Sequence, residues 1–331
     1  MPKVLHIGPC DSPGGMANVM RILAEHPPEG WEAELLSSHV VGSPWAKWVA
    51  YRKARKTLIR MLNDPSQRPE VVHLHTSADW SWWRKRRFAL LAHAAGCKIV
   101  VHIHSGQFDI WLNGPTSKRS AFLRSFLNKV SAKTIVLSPG WKKILEPMIG
   151  PTYIVNNPIP DYFHHRSDNR DQHHLLLLGR DDPVKGHAFA IRVCEKVREF
   201  VPDLKVTMSG ITSSPYNWIS ARGWISEEEK LRLLQSASLL LVPSAFEGQP
   251  LVVLEAMSSG LPVLVSDRLL SMPEGVEVAP FEDTEHWVEK VLQMFENPPL
   301  SSQLIAQSKP YQIHAVARRW SEIYTGPSLI E

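Results

Sequence analysis

The sequence has little cysteine: three in 331 residues, Cys10, Cys97 and Cys194, odd in number and far apart. That excludes a disulfide framework and a zinc site built on paired cysteines. It has no uninterrupted apolar run approaching 18 residues, so no membrane-spanning helix is expected. The opening MPKVLHIGPC is too short in apolar length for a secretory signal. There is no Asp-x-Asp pair and no internal repeat at a period of 20–50 residues. What is present is a globular composition, 44% hydrophobic and 21% charged with 12 Trp, 10 Phe and 6 Tyr, which excludes a disordered or collagen-like chain. The length suffices for about two domains of roughly 150 residues. A reduced, intracellular protein is expected.

The net charge of +4 hides an asymmetry: residues 1–155 carry 21 Lys+Arg against 10 Asp+Glu, and the remainder 16 against 23. Two halves of opposite sign suggest two domains with different partners. A basic half can face nucleic acid, a membrane surface or an anionic substrate.

Short apolar runs alternate with longer helical patterns, as in a parallel sheet with crossover helices. Strands are expected at 4–8, 71–75, 99–104 and 134–137, with helices at 15–25, 44–62, 85–95 and 118–133. A second series places strands at 175–178, 205–209, 239–242 and 262–265, with helices at 187–200, 226–235, 250–258 and 283–295. Between the series, VNNPIPDYFHHRSDNRDQ (155–172) reads as an interdomain linker. The expected fold class is α/β: two Rossmann-like, doubly wound domains facing a central cleft, 1–156 and 157–308. A last helix within 309–331 could pack on either domain, including back on the first.

In such sheets ligands bind at the carboxyl ends of strands, and anions favour the N-termini of the helices that follow. After the first strand, Gly14 and Gly15 let backbone N–H groups approach a phosphate or sugar, although an ordinary tight turn explains them as well. Two His-x-His pairs, His73/His75 and His102/His104, end strands; alternation puts each pair on one face. No Cys, Asp or Glu nearby completes a metal site, so none is expected. His104, followed by Ser105 and Gly106, is read as a polar group that contacts substrate.

In the second half, GRDDPVKG follows a strand. Arg180 can grip phosphate bidentately while Lys185 supplies a point charge before a helix. The sharpest feature is PSAFEGQPLVVLEAMSSGLP. Glu247 sits in the loop after a strand, with Gly248 and Gln249 beside it, and Pro250 suits a first helical turn. The N–H groups of Leu251 and Val252 are then free for a diphosphate, and Glu255 can accept hydrogen bonds from a ribose.

These residues resemble the family-4 retaining glycosyltransferases of the GT-B fold over nearly the whole chain. The Glu–seven residues–Glu motif is matched by Glu247 and Glu255, the Gly-Arg…Lys-Gly donor motif by GRDDPVKG, the interdomain segment by VNNPI, and the N-terminal glycine pair by Gly14 and Gly15. The middle of the first half looks like transferases that build capsular, exopolysaccharide or lipid-linked glycans. The resemblance implies a metal-independent enzyme without a cofactor. It would move a sugar from a UDP- or GDP-sugar to a polyprenyl-linked glycan acceptor with retention. Donor contacts would fall to Gly15, Arg180, Lys185, Gly248, Gln249, Pro250, Leu251, Val252 and Glu255, and acceptor contacts to Gly14, His75 and Ser105. His104 and Glu247 would be catalytic, Glu247 as a sugar-binding group or as a covalent nucleophile. Asn157-Pro158 and Gln249-Pro250 depart from the family's common pattern, so sugar choice does not carry over.

Two stretches supply most of the basic charge: PWAKWVAYRKARK, with Trp45, Lys47, Trp48, Arg52 and Lys53, and WSWWRKRRF, with Arg84, Lys85, Arg86 and Arg87. Aromatic residues beside Lys/Arg clusters suit the headgroup zone of an anionic bilayer. The expected location is therefore peripheral, at the cytoplasmic face of the cell membrane. A solvated basic helix with core tryptophans is the plainer reading. Nucleic acid is not expected as a partner, because the acidic half and its cationic socket describe a small-molecule donor. A non-catalytic nucleotide- or polyanion-binding protein on the same fold is the alternative.

Overall fold

The computed structural model describes residues 1–163 and 170–326; part of the stretch read as a linker (164–169) and of the C-terminal segment (327–331) lies outside the described residues. The chain divides into two compact units, Met1–Pro158 with the segment from Ile313 onward, and Ile159–Gln312.

The first unit runs β1 (Lys3–Gly8), α1 (Gly15–Glu25), β2 (Glu32–Ser37), α2 (Pro44–Asn63), β3 (Val71–Thr76), α3 (Trp80–Ala94), β4 (Lys98–Ile103), α4 (Phe108–Leu112), α5 (Lys118–Lys129), β5 (Lys133–Val136), α6 (Pro139–Ile149) and β6 (Thr152–Ile154). All six strands are parallel, in the order β2-β1-β3-β4-β5-β6. The inner strands are buried almost throughout, as parallel strands covered on both faces must be. Local chemistry sets the helix ends. Ser43 caps α2 by accepting from Ala46 N at 3.2 Å, with Pro44 in the first turn.

The second unit runs β7 (His174–Leu177), α7 (His187–Phe200), β8 (Lys205–Met208), β9 (Ile219–Ala221), α8 (Glu227–Ser236), β10 (Leu239–Val242), α9 (Leu251–Ser258), β11 (Val263–Ser266), β12 (Glu277–Ala279), α10 (Thr284–Glu296) and α11 (Ser301–Ser308). Its order is β12-β11-β10-β7-β8-β9, again all parallel. Strand alternation divides the core in two. Leu175, Leu177, Leu239 and Leu241 pack with α7 and α10 residues such as Val193 and Trp287. Leu176, Leu240 and Val242 pack on the other face with Val253, Leu254 and Met257 of α9.

The chain then returns to the first unit as α12 (Ile313–Thr325), which buries Ile313, Val316, Trp320, Ile323 and Tyr324. Lys98, which opens β4, donates to Tyr324 O at 3.1 Å, and Lys133, which opens β5, donates to Ile323 O at 2.6 Å. Two ammonium groups thus satisfy carbonyls at the negative end of α12.

Several elements differ from the sequence expectation. The stretch read as a linker is committed to the second unit from Ile159 on: Ile159 and Phe163 are fully buried, Ile159 N donates to Tyr311 O at 2.7 Å, and Arg170 donates to Leu234 O at 2.6 Å and Ala237 O at 2.9 Å. Two apolar residues four apart among prolines show no period. α3 begins at Trp80 rather than at 85, because its cap, Asp79, has φ 56 and makes no side-chain hydrogen bond, leaving no capping signature to read. α5 stops at Lys129 because Ser131 turns into the left-handed region at φ 47.

Candidate active site

Each sheet reverses its strand order at one place, between β1 and β3 in the first unit and between β7 and β10 in the second. Ligands of open α/β sheets bind beyond the carboxyl ends of the strands at such a point.

In the second unit, β7 leads into Gly179 and Arg180, then a short turn at Pro183–Lys185, then α7. Asp182 Oδ1 closes the turn by accepting from Val184 N at 3.0 Å. Two glycines let three loops meet here. A Cβ on Gly210 (φ +89) would lie 2.3 Å from Gly179 O, and one on Gly186 (φ +75) would lie 2.8 Å from Pro243 O. His187 Nε2–H donates to Ser209 O at 2.8 Å, and Gly179 N donates to Ser209 Oγ at 3.0 Å, which ties the loop after β8 to the loop after β7. The Lys185 ammonium forms an ion pair with Glu247 Oε1, which also accepts from Ser244 Oγ at 3.1 Å. Arg180 extends outward, its side chain 60% exposed, with Asp182 at 3.8 Å.

α9 starts at Leu251 behind Pro250, with no side chain capping its first turn. Gln249 beside it is buried. Glu255, one turn in, is fully buried and accepts from Lys230 Nζ at 2.8 Å; Lys230 also pairs with Glu227 at 2.8 Å. Burial lifts the Glu255 carboxyl above the ordinary carboxylate range, with Lys230 pulling the other way. Burial alone would lower the Lys230 ammonium, but the Glu255 and Glu227 carboxylates outweigh it and its pKa is raised. Sequence reasoning missed Lys230 because its partner lies 25 residues away on another helix. Lys230 itself lay inside the helix expected at 226–235, with no sign of a buried partner.

In the first unit, five imidazoles line one face of the sheet, running from the middle of β1 and β3 to just beyond the carboxyl end of β4. Register places His6 beside His73 and His75 beside His102. His6 Nδ1 lies 2.9 Å from His75 Nε2, and His75 Nδ1 lies 3.0 Å from His104 Nε2. His73 Nε2 lies 3.2 Å from His102 Nδ1, and His73 Nδ1 lies 2.9 Å from the Tyr324 hydroxyl. Trp320 covers His73 and His102, with ring centroids at 4.5 and 5.2 Å. Burial pulls His6 and His104 down to about 3 and His73, His75 and His102 well below their ordinary value, so all five rings are neutral. Two overlapping sets, His6–His73–His75 and His75–His102–His104, each bring three ring nitrogens within 4.8 Å of one another.

This corrects two expectations. The His-x-His pairs are not separate, because His6 and strand pairing join them into one cluster of three-imidazole sets that needs no Cys, Asp or Glu. His75, expected at the acceptor, is fully buried with both ring nitrogens engaged, by His6 and by His104. Gly14 (φ +127) and Gly15 open α1 without a side-chain cap, and Ser105 Oγ accepts from Gln107 N at 3.2 Å.

The basic aromatic stretches fall on α2 and α3. Trp45 and Trp48 are exposed and stacked at 4.8 Å, Arg52 lies over Trp48 at 5.0 Å, and Lys53 is exposed. The tryptophans of α2 are therefore surface residues, and Tyr51, Ala54 and Leu58 form its buried side. On α3, Arg87 is exposed, Arg84 is half-buried, and Arg86 lies over Trp83 and Phe122 at 5.0 and 5.2 Å. Lys85, expected at the surface, is a correction: it is fully buried and donates to Ser38 Oγ at 3.0 Å. Burial chiefly pushes its pKa down to about 7. Among the described residues no helix is long and apolar enough to cross a membrane.

This two-sheet architecture superposes on sucrose-phosphate synthase from Thermosynechococcus elongatus over 98% of both chains, with TM-score 0.73 at 15% identity. It also superposes on the catalytic domain of starch synthase IV from Arabidopsis thaliana, bound to ADP and acarbose, over 98% of this chain and 99% of that one, with TM-score 0.65 at 12% identity. The fold is GT-B. Within this GT-B chain, residues 172–297 match the family described as glycosyl transferases group 1. That match takes in the loop after β7 and the Glu247–Glu255 segment. A curated glycogen synthase from Mycobacterium tuberculosis is 26% identical over 257 residues, which is 69% of this chain and 61% of that protein. The GT-B chain thus spans 61% of the length of that relative.

Proposed function

We propose that the protein is a retaining, metal-independent glycosyltransferase that moves a sugar from a UDP- or GDP-sugar to a polyprenyl-linked glycan at the cytoplasmic face of a membrane. The observation that carries this reading is the Lys185–Glu247 ion pair, built from the loops after β7 and β10, the two strands that flank the second sheet's switch point. A nucleoside diphosphate leaves with about two to three negative charges, and fixed positive groups stabilise that charge where it develops. Lys185, Arg180 and the uncapped start of α9 at Leu251 and Val252 supply them. Glu247, held by Lys185 and Ser244, takes the role of binding the sugar hydroxyls in this reading. Glu255 receives the ribose, with Lys230 offsetting its buried charge. In this reading His104 contacts the sugar, and Gly14 and Ser105 contact the acceptor. The match to glycosyl transferases group 1 and the ADP in the starch synthase structure support a nucleotide-linked donor. The exposed Trp45 and Trp48 beside Arg52 and Lys53 support an anionic surface as the acceptor's setting.

The test is a panel of nucleotide sugars given to the purified protein with an acceptor-containing membrane extract. Release of UDP or GDP is expected with at least one donor. Lys185→Ala should weaken that donor's binding by about tenfold to a hundredfold in calorimetry, as the loss of a charge-assisted contact does. Donor binding without turnover would favour a non-catalytic nucleotide-binding protein, and neither binding nor turnover with any donor would overturn both readings.

A further inference from the structure

We propose that His6 and His75 are positioning residues that tie the tautomer of His104 to their own through a continuous imidazole chain, His6–His75–His104. The functional part of this inference rests on the reading of His104 as a group that touches the sugar.

His75 is bonded at both ring nitrogens, Nε2 to His6 Nδ1 at 2.9 Å and Nδ1 to His104 Nε2 at 3.0 Å. A neutral imidazole has one N–H and one lone pair. His75 must therefore donate through one nitrogen and accept through the other, and the same constraint passes to its two neighbours. Only two arrangements keep both bonds. In the first, all three rings are Nδ1–H and donation runs from His6 towards His104, which leaves His104 Nδ1–H as a donor. In the second, all three rings are Nε2–H and donation runs towards His6, which leaves His104 Nδ1 as an acceptor. In both, the three rings share one tautomer, so the proton on His104 is coupled to the one on His6 of β1.

The surroundings hold the rings in place. His75 stacks on His73 with centroids 4.1 Å apart, and His104 lies 4.0 Å from His102. A second run, Tyr324–His73–His102, walls the first off beneath Trp320. No carboxylate takes part in these hydrogen bonds, so nothing among them favours an imidazolium. The device resembles the orienting partner of a catalytic histidine in logic, but the partner is a neutral ring rather than an acid.

The test reads ring-nitrogen shifts by long-range 1H–15N NMR on the full chain without substrate. Three neutral rings in one shared tautomer are expected; different tautomers among His6, His75 and His104 overturn the chain. His6→Phe should change the tautomer populations of His75 and His104, and His6→Asn, whose amide can donate to or accept from His75 Nε2, should return them towards those of the unaltered chain. With an active donor, His6→Phe should lower kcat about tenfold at unchanged donor KM, and His6→Asn should recover most of it. A freed tautomer with unchanged kcat overturns the functional role. Stoichiometric zinc binding that moves all three sets of shifts overturns the chain in favour of a metal site at His75. Absence of turnover in the unaltered protein would count against glycosyl transfer, while the substrate-free spectra would still decide the chain.

Discussion

At the switch point of the first sheet, five neutral imidazoles are packed side by side and bonded to one another and to Tyr324. At that of the second, charge is met by charge, Lys185 by Glu247 and Lys230 by Glu255. The two sheets have six parallel strands each and place these groups at equivalent ends. The contrast shows two ways of burying polar groups without large cost. One keeps them uncharged and lets each ring satisfy its neighbour; the other keeps them ionised and pairs them.

Acid should separate the two units most sharply. Each buried histidine has its folded pKa below the unfolded value of 6.5, so the unfolded chain binds more protons as pH falls. The stability these rings contribute is whole above about 6.5 and is lost as pH falls through it, by up to about 1.4 kcal/mol per pH unit for each ring. The loss continues towards about 3, where His6 and His104 would protonate in the folded state. Hydrogen exchange at pH 7 and pH 5 should show protection falling in β1, β3 and β4 before β7 and β10; the opposite order would break the comparison. Next in size, Lys230→Ala leaves Glu255 buried without its counter-charge and should cost about 3–5 kcal/mol, read as a lower urea midpoint. Lys85→Met removes a buried amine that donates to the Ser38 hydroxyl, and should be neutral within about 1 kcal/mol. Similar losses for both would erase the distinction between paired and unpaired ammonium groups. Smallest is the surface term. Replacing Trp45 and Trp48 with Ser should weaken partitioning onto anionic vesicles about thirtyfold, at about 1 kcal/mol per ring, read by flotation, and leave folded stability within about 0.5 kcal/mol.

The inner strands were legible because a parallel strand covered on both faces must be an apolar run, as Leu239–Val242 is. The four strands that escaped the pattern, β2, β6, β9 and β12, are the four sheet edges. β2 has no buried residue, and each of the others has only one. An edge is covered less, so its sequence is constrained less. Within the candidate site, the loop after β7 and the Glu247–Glu255 segment could be read because their residues are neighbours in sequence. The imidazole face could be read only in pairs, since alternation reaches along a strand and not across to His6. Lys85 carried a usable signal that its basic neighbours masked: Trp82, Lys85, Phe88, Ala89 and Ala92 are the buried residues of α3, spaced at helical intervals.

The return of α12 to the first unit has a consequence for how the molecule is made. A ribosome delivers β1 to β6 first, then the whole of the second unit, and only then the helix that supplies Trp320 and Tyr324 to the histidine face and accepts from Lys98 and Lys133. The second unit is contiguous and can finish while still tethered, whereas the first waits with its sheet partly uncovered. The half synthesised earliest is therefore the half completed last. A chain arrested before residue 313 should present a finished second unit beside an unfinished first one.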